Sequence, residues 1–357
     1  MEMKINNLPA KTWRWLHMNE TAVSEEADLA ASGIAVNCPA SVSQNNAQSQ
    51  ELKDTETGMG SDMTRLLAAS QSKVTAFATQ EGVCEKQPLV LSFGYRDGDR
   101  KGDVVELRLA KDSELTVLMD YVSGEGSGTA AVQTVIRAEE NAKLHLVQVE
   151  RLGSGYTCMN DIGAFCEANA GVDLVQLILG GKDVRMGCLA DLSGKASDLQ
   201  VSIGYQVQGS NTLDMNYAAI HKGKKTTSHI DASGVLRGEA KKLFRGTIDF
   251  KKGAKGAKGD ELEDVLLLDD GVQNQTIPLI LCAEEDVEGN HGASIGNLDE
   301  EMMFYLASRG ISEEAAYELV ANAKLKAVCG KIPDQKLREE LEAYLDGDDD
   351  TEGREEL

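Results

Sequence analysis

The chain contains 357 residues, of which 41% are hydrophobic and 27% are charged, and its formal net charge is −23. This composition is close to the globular average, so it excludes wholesale disorder, and the length allows about two domains. The large negative charge argues against nucleic acid and anionic membranes as partners, because binding to phosphates depends mainly on Lys and Arg.

The sequence also argues against a membrane protein and against a disulfide-stabilised one. No apolar run approaches the roughly 18 residues that a membrane span needs, and the first ten residues lack a basic segment followed by an apolar one. The seven cysteines are scattered and form no CxxC pair, unlike a disulfide framework or a structural zinc site. We therefore expect a cytoplasmic protein with reduced thiols.

Residues 1–85 are predicted to form an N-terminal arm, a polar linker and a short helix. Both tryptophans of the chain lie within its first fifteen residues, and residues 19–61 are rich in Ser, Gln, Asn, Thr and Glu. The polar composition indicates a linker or a loosely held arm. Residues 62–80 have a partial apolar face at Leu66, Leu67 and Val74, which favours one helix.

Residues 86–296 show the alternation of apolar and polar side chains that is typical of strands with one buried face. The pattern is clearest in Leu199–Val207 and Leu213–Ala219, and short turns rich in Gly, Asp, Asn and Ser separate the segments. The strands recur roughly every 13–15 residues, which fits a β-sandwich or a β-solenoid. We favour the solenoid, because 35 Gly and only 6 Phe, 8 Tyr and 2 Trp suit stacked coils with aliphatic interiors.

Residues 297–345 are predicted to form a small helical domain. The apolar spacing predicts one helix after Asn297, a second with Ser312 as its N-cap, and a third from Pro333 to Leu345. The last twelve residues, 346–357, hold seven acidic residues against Arg354. They are expected to be a disordered acidic tail.

The densest group of candidate metal ligands surrounds Cys282 and His291. Three acidic residues, 284–286, lie between them, and thiolate and imidazole both suit iron and zinc. The alternative is that Cys282 ends a strand, the acidic residues form a turn and His291 is an ordinary loop residue. One Cys and one His cannot complete a four-ligand site, so a metal here needs ligands from another subunit or is held transiently.

Other segments carry weaker indications of chemistry. The run Lys251–Gly259 contains four lysines, but it lacks the spacing of a phosphate-binding loop, so a solvated corner is the simpler interpretation. Asp183, Asp191 and Asp198 leave open a carboxylate pair like those of β-helical sugar-cleaving enzymes, although aromatic cleft residues are scarce. Cys158, Cys166 and Cys188 are interpreted as buried structural thiols, with a sulfur-relay role as the alternative.

The C-terminal third resembles the SufB/SufD family of iron–sulfur cluster assembly proteins, and SufD-like members more than SufB. The resemblance begins at Ser233–Gly238 and Phe244–Gly246, continues through His291–Gly296, and is densest over Leu298–Ser312. Residues 8–15 are similar to a segment near the start of SufD proteins. There are departures, since Glu261 stands where a strand glutamine is usual.

The resemblance implies a right-handed parallel β-helix with a small C-terminal helical domain and a short N-terminal arm. It also implies a non-enzymatic scaffold subunit that dimerises through its β-helix, with a SufB-type subunit or as a homodimer. The C-terminal helices would dock a SufC-type ATPase. His291 matches the interface histidine of SufD, and Cys282 has the offset of the SufB cysteine, so both are candidate ligands of a transient iron–sulfur cluster at the dimer interface.

Two other functions stay open at this stage. One is a β-helical polysaccharide lyase or hydrolase, and the other is a structural partner of the ATPase that holds no metal. Neither nucleic acid nor a membrane is expected as a partner.

Overall fold

The computed structural model describes residues 1–11, 14–46, 54–298 and 300–347. The expected acidic tail therefore lies outside the described residues from Asp348 onward. The strands are β1 (Glu2–Ile5), β2 (Thr21–Ser24), β3 (Ala35–Asn37), β4 (Ser43–Asn45), β5 (Lys73–Ala78), β6 (Leu89–Tyr95), β7 (Arg100–Leu109), β8 (Glu114–Ser123), β9 (Ser127–Ala138), β10 (Lys143–Arg151), β11 (Gly155–Cys166), β12 (Gly171–Ile178), β13 (Asp183–Leu192), β14 (Asp198–Val207), β15 (Thr212–His221), β16 (Thr227–Leu236), β17 (Lys241–Phe250), β18 (Ala257–Leu267), β19 (Gln273–Cys282) and β20 (Val287–Gly296). The helices are α1 (Ser61–Ala69), α2 (Glu300–Ser308), α3 (Glu313–Cys329) and α4 (Gln335–Asp346), and Arg14–Leu16 form a 3-10 turn.

The core of the fold is a parallel β-solenoid, as the alternating pattern predicts. Within the described residues, strands β5 to β20 alternate between two nine-stranded sheets, with even-numbered strands in one sheet and odd-numbered strands in the other. In-register partners lie 26 to 32 residues apart along the chain, so each solenoid turn takes two strands. The interior is filled mainly by Leu, Val, Ile, Ala and Met, as the composition favours, but it also holds eight of the fourteen Phe and Tyr residues of the chain.

The two ends of the solenoid differ. At the N-terminal end, β3 and β4 pair antiparallel with β6 and β5, so they cover the first turn. At the C-terminal end, β19 and β20 each have a neighbouring strand on one side only within the described residues. The outer backbone groups of β19 and β20 therefore face away from the solenoid, and we call this surface the open end.

The N-terminal region is packed against the solenoid, so the expectation of a loosely held arm over residues 19–61 is wrong for its described part. The hairpin β1–β2 buries Met3 and Ile5 together with α1. Arg245 is fully buried beneath it, and its guanidinium donates to the Met18 carbonyl at 2.8 Å. These contacts fix the hairpin on the odd-numbered sheet.

The helix predicted over residues 62–80 is correct only in its first half. It ends at Ala69, because Ser70 is already extended (φ −92°, ψ 177°). Residues Lys73–Ala78 form β5 instead, in parallel with β7, so the sheets begin before residue 86. The local pattern does not decide between strand and helix, because apolar residues lie on both faces of β5: Phe77 packs in the solenoid core and Val74 packs on the cluster that contains α1. Pairing with β7 decides for the strand.

Helices α3 and α4 pack apolar side chains against the solenoid. Val328 and Leu341 pack on Val147 and Val175 of the even-numbered sheet, and all four are buried. Ser312 is the N-cap of α3 as predicted, since its side chain accepts a hydrogen bond from the Ala315 N–H at 3.2 Å. Helix α2 starts at Glu300. No helix among the described residues is long and apolar enough to span a membrane.

Candidate functional site

The candidate ligands Cys282 and His291 lie on the last turn of the solenoid, at the open end. Cys282 is the last residue of β19, His291 lies within β20, and the turn 283–286 connects the two strands. Both residues are exposed. They are exposed because β19 and β20 are edge strands. Residues in the equivalent positions one turn earlier are covered by this last turn.

Both side chains project toward the solenoid interior. In-register pairing places Cys282 beside Phe250 and His291 beside Glu261. Phe250 is 0% exposed and Glu261 is 2% exposed, so both partners face the interior. Side-chain direction alternates along a strand and is preserved between in-register neighbours. Cys282 and His291 therefore form part of the surface that the last turn exposes at the open end.

The two residues do not lie opposite each other across the interior. A Cβ built on Gly289 would lie 3.0 Å from Ile280 Cγ2, so Gly289 faces Ile280. Two positions further along β20, His291 faces Pro278, which is four residues from Cys282. Four residues of a strand span about 13 Å. One chain therefore does not bring Cys282 and His291 together on a single metal ion.

The acidic residues 284–286 build the turn after Cys282, as the simpler alternative predicts, but His291 lies within β20 and not in a loop. The Glu284 carboxylate accepts a hydrogen bond from the Gly253 N–H at 3.0 Å, and the Asp286 carbonyl accepts one from the Gly256 N–H at 2.6 Å. Hydrogen bonds from backbone N–H groups, that of Gly253 first and that of Glu285 second, lower the pKa of Glu284. Among the described residues, no three His, Cys, Asp or Glu side chains are close enough to hold a metal ion.

A polar cluster lies inside the solenoid directly beneath His291. Lys242 and Glu263 form a buried ion pair, and Thr276 donates to Glu263 at 2.5 Å. Glu261 completes the cluster, but its Oε2 atom has no hydrogen-bond partner. Gly246 faces the Glu261 carboxyl, and a Cβ there would lie 2.2 Å from the carboxyl carbon. The glycine makes room for the carboxyl group.

The cluster shifts the protonation of its members. Burial raises the pKa of Glu261 to about 8, and the negative charge of Glu263 adds to the effect while Lys242 opposes it. Burial also lowers the pKa of Lys242, against the attraction of Glu263. In the sequence, Glu261 is notable only as a departure from the usual glutamine. The alternating positions of Glu261, Glu263 and Val265 put two glutamates on the buried face of one strand, and this spacing is the feature of the sequence that indicates a buried polar cluster.

The three cysteines of the middle strands are buried in the core. Cys158 donates to Glu150 at 3.6 Å, and burial raises the pKa of Cys158, of Cys166 to about 12, and of Cys188. A thiol with a raised pKa is a poor nucleophile at neutral pH. Their placement fits structural thiols.

The aspartates considered for a sugar-cleaving site have ionic partners. Asp183 pairs with Arg185, Asp191 with Lys222 at 2.6 Å, and Asp198 with Lys143 at 2.6 Å. Each of the three carboxylates thus forms an ion pair with a cation of the same chain. This arrangement gives no free carboxylate pair at these positions.

Comparison with known proteins gives the family. The sequence model described as "SUF system FeS cluster assembly, SufBD core domain" matches residues 102–324. The iron–sulfur cluster assembly protein SufD of Bacillus subtilis is 26% identical over 244 residues, which cover 67% of this chain and 56% of the relative. A SufBD family protein of Mycobacterium leprae is 27% identical over 261 residues, covering 70% of this chain and 66% of the relative.

The chain therefore spans about 56 to 66% of the length of these relatives. A SufBD family protein of Staphylococcus epidermidis is 30% identical over 170 residues, which cover 47% of this chain. The family match includes β7 to β20 and reaches into α3, so it contains the whole open end. The chain belongs to the SufBD family of iron–sulfur cluster assembly proteins.

Proposed function

We propose that this chain is a scaffold subunit of a SUF assembly complex, in which the open end of the solenoid meets a second subunit and the cluster forms between them. The observation that carries this proposal is the difference between the two solenoid ends. The first turn is covered by antiparallel strands of the same chain, whereas the last turn exposes two edge strands.

The edge strands suit pairing with another solenoid. A free strand edge presents a row of N–H and C=O groups that a second strand can satisfy, and natural proteins usually cover or charge such edges. Most residues of β20 are exposed, including Ile295 at 47%. A SufB-type subunit or a second copy of this chain would cover Ile295 and the edge together.

The separation of Cys282 and His291 supports a site that is shared between subunits. Because the two residues lie about 13 Å apart along the strands, each would act with ligands of the facing subunit. His291 is the ligand that we place at the centre of the interface, and Cys282 is a second ligand nearer the rim. The iron–sulfur cluster is the cargo of this site, which holds it while it is built.

Helix α2 is the element that we propose for docking a SufC-type ATPase. Phe304 is 76% exposed, Tyr305 54% and Met302 47%, whereas α3 exposes one large apolar side chain, Leu319 at 54%, and packs Val328 on the solenoid beside Leu341 of α4. The docking element that we propose is therefore α2 alone, and not the whole helical domain that the sequence predicts. Exposed aromatic side chains on one short helix are typical anchors of a protein interface.

The docking proposal is tested by F304S/Y305S in cells that co-express the cognate ATPase and SufB-type subunit. The variant should lose co-purification of the ATPase and keep the circular dichroism of the wild type. W15S/L16S is the matched control, because Trp15 and Leu16 are also exposed, at 95% and 56%, but lie on the N-terminal arm. Equal loss in both variants, or no loss in F304S/Y305S, would place the docking site elsewhere.

The second candidate is a structural partner of the ATPase that holds no part of the cluster. The exposed face of α2 fits this function equally well, so the discriminating residues are His291 and Cys282. If H291A and C282S assemble into the complex and form clusters at the wild-type rate, the structural function is correct. Loss of cluster formation in an intact complex supports the scaffold.

A further inference from the structure

A strip of lysines runs along one edge of the solenoid, where the odd-numbered strands turn into the even-numbered ones. Three successive corners, 193–197, 222–226 and 251–256, contain seven lysines and no acidic residue in sixteen positions. In the whole chain, Lys and Arg together number 36 of 357 residues, about one position in ten. The lysines are therefore concentrated here, in a protein of net charge −23.

The three corners form one continuous surface. They are joined by backbone hydrogen bonds from the Ala196 N–H to the Lys224 carbonyl, 2.8 Å, and from the Lys225 N–H to the Lys255 carbonyl, 3.0 Å. Neighbouring turns of a parallel sheet lie about 4.8 Å apart, so the strip is roughly 10 Å long along the solenoid axis. We call these three corners the lysine strip.

Only some of these cations are neutralised by neighbouring acids. Lys222 pairs with Asp191 and Lys251 with Asp249, each at 2.6 Å, and Lys255 lies 3.9 Å from Asp286. Within the described part of the chain the other four make no ion pair, and all four are exposed. They are Lys195, Lys224, Lys225 and Lys252.

The charge pattern along this edge changes sign on both sides of the strip. The next corner toward the open end, 283–286, holds Glu284, Glu285 and Asp286, and the preceding corners, 139–142 and 167–170, hold three further glutamates. The Debye length in physiological salt is about 8 Å, so the local charge of the strip acts on a contacting partner despite the negative charge of the whole protein. Because acidic corners flank the strip on both sides, only these three solenoid turns attract a negatively charged partner.

We infer that the lysine strip is a docking surface for an extended acidic segment of a protein partner. The strip contains no aromatic side chain on which a base could stack and no Arg for bidentate phosphate contacts, which argues against nucleic acid. Lysine ammonium groups attract carboxylates without fixed geometry, which suits a flexible acidic peptide. The strip lies along the side of the solenoid and ends one turn before the open end, where Gly253 and Gly256 bond to the turn 283–286. It does not include α2, β19 or β20, so the inference does not depend on the proposed function.

The test uses a fluorescein-labelled deca-glutamate peptide and fluorescence anisotropy at 20 mM and 200 mM NaCl. The wild-type chain should bind the peptide saturably at low salt and at least tenfold more weakly at high salt. The variant K195Q/K224Q/K225Q/K252Q removes the four unpaired charges and should weaken binding at least tenfold. The corresponding Lys→Arg variant should bind within threefold of the wild type.

The matched control is K86Q/K182Q/K241Q/K336Q, which removes four exposed lysines from other surfaces and changes the net charge equally. It should leave the affinity within threefold of the wild type. Equal weakening in both glutamine variants, or no saturable binding by the wild type, would overturn the inference. Tighter binding of a labelled ten-nucleotide thymidine oligomer than of the peptide would also overturn it, in favour of nucleic acid.

Discussion

The carboxyl group of Glu261, beneath His291, provides a quantitative test of the solenoid interior. It is buried and one of its oxygen atoms has no hydrogen-bond partner, so the charged form is unfavourable in the folded chain. Its pKa is raised from 4.5 to about 8. The substitution E261Q keeps the size of the side chain and removes its titration.

The sign of the effect follows from proton binding. Between pH 4.5 and 8 the folded chain holds a proton on Glu261 that the unfolded chain has released, so the free energy of unfolding falls as the pH rises. At about 1.4 kcal/mol for each pKa unit, the titration of Glu261 costs the wild type up to ~5 kcal/mol across this range, and this contribution is absent from E261Q. Below pH 4.5 the titration of Glu261 contributes nothing.

Urea unfolding of both proteins, followed by circular dichroism from pH 5 to pH 9, measures this difference. Glu150 and Asp161, with pKa values raised by burial to about 7 and about 6, contribute equally to both proteins and cancel. The free energy of unfolding of E261Q should rise relative to that of the wild type by about 1.4 kcal/mol per pH unit up to pH 8, and the difference should then stay constant.

The matched control is E125Q, because Glu125 is exposed and forms no ion pair within the described residues. It should change the free energy of unfolding by less than about 0.5 kcal/mol at every pH. A difference between E261Q and the wild type that is constant from pH 5 to pH 8 would refute the reasoning. It would show that water or a cation reaches the carboxylate.

Three further substitutions test how the chain is held together. L341A removes a fully buried side chain between α4 and the sheet and should cost about 2–5 kcal/mol in urea unfolding. G58A places a Cβ 1.9 Å from the Cys188 backbone nitrogen, so it should cost about 3 kcal/mol and increase proteolysis of the N-terminal arm. Burial lowers the pKa of His221 to about 4, so the wild type should lose up to ~3 kcal/mol relative to H221Q as the pH falls from 6.5 to 4, measured by urea unfolding over that pH range.

The repeated part of the fold was predictable from the sequence, because alternation of apolar and polar residues is a local property. In Leu199–Val207 every apolar position of the alternation is buried, and on the outer face Ser202 and Gly204 are buried as well. Val328 of α3 lies next to Gly204, and this cover is not visible in the alternating pattern. The N-terminal region was not predictable in the same way. Its polar residues are held by distant partners, such as Asn6 Nδ2, which donates to the Asp214 carboxylate at 2.5 Å.

The candidate site was located by sequence, but its geometry was not. Proximity of Cys282 and His291 along the chain suggested one group of ligands, whereas the solenoid turns back between them and places them four strand positions apart. The polar cluster beneath His291 depends on Lys242, which lies 49 residues earlier in the chain and meets Glu263 only through the coil. The contact between Lys242 and Glu263 depends on the register of the strands, and the register cannot be read from a single sequence.

The most direct test of the scaffold proposal is anaerobic cluster reconstitution in the complex co-expressed with the SufB-type subunit and the ATPase, followed by visible absorption. H291A should assemble into the complex and lose most of the cluster absorption. H229A is the control, because His229 faces outward on β16, and it should match the wild type. Full cluster absorption in H291A, or failure of the wild-type chain to co-purify with the ATPase, would contradict the account.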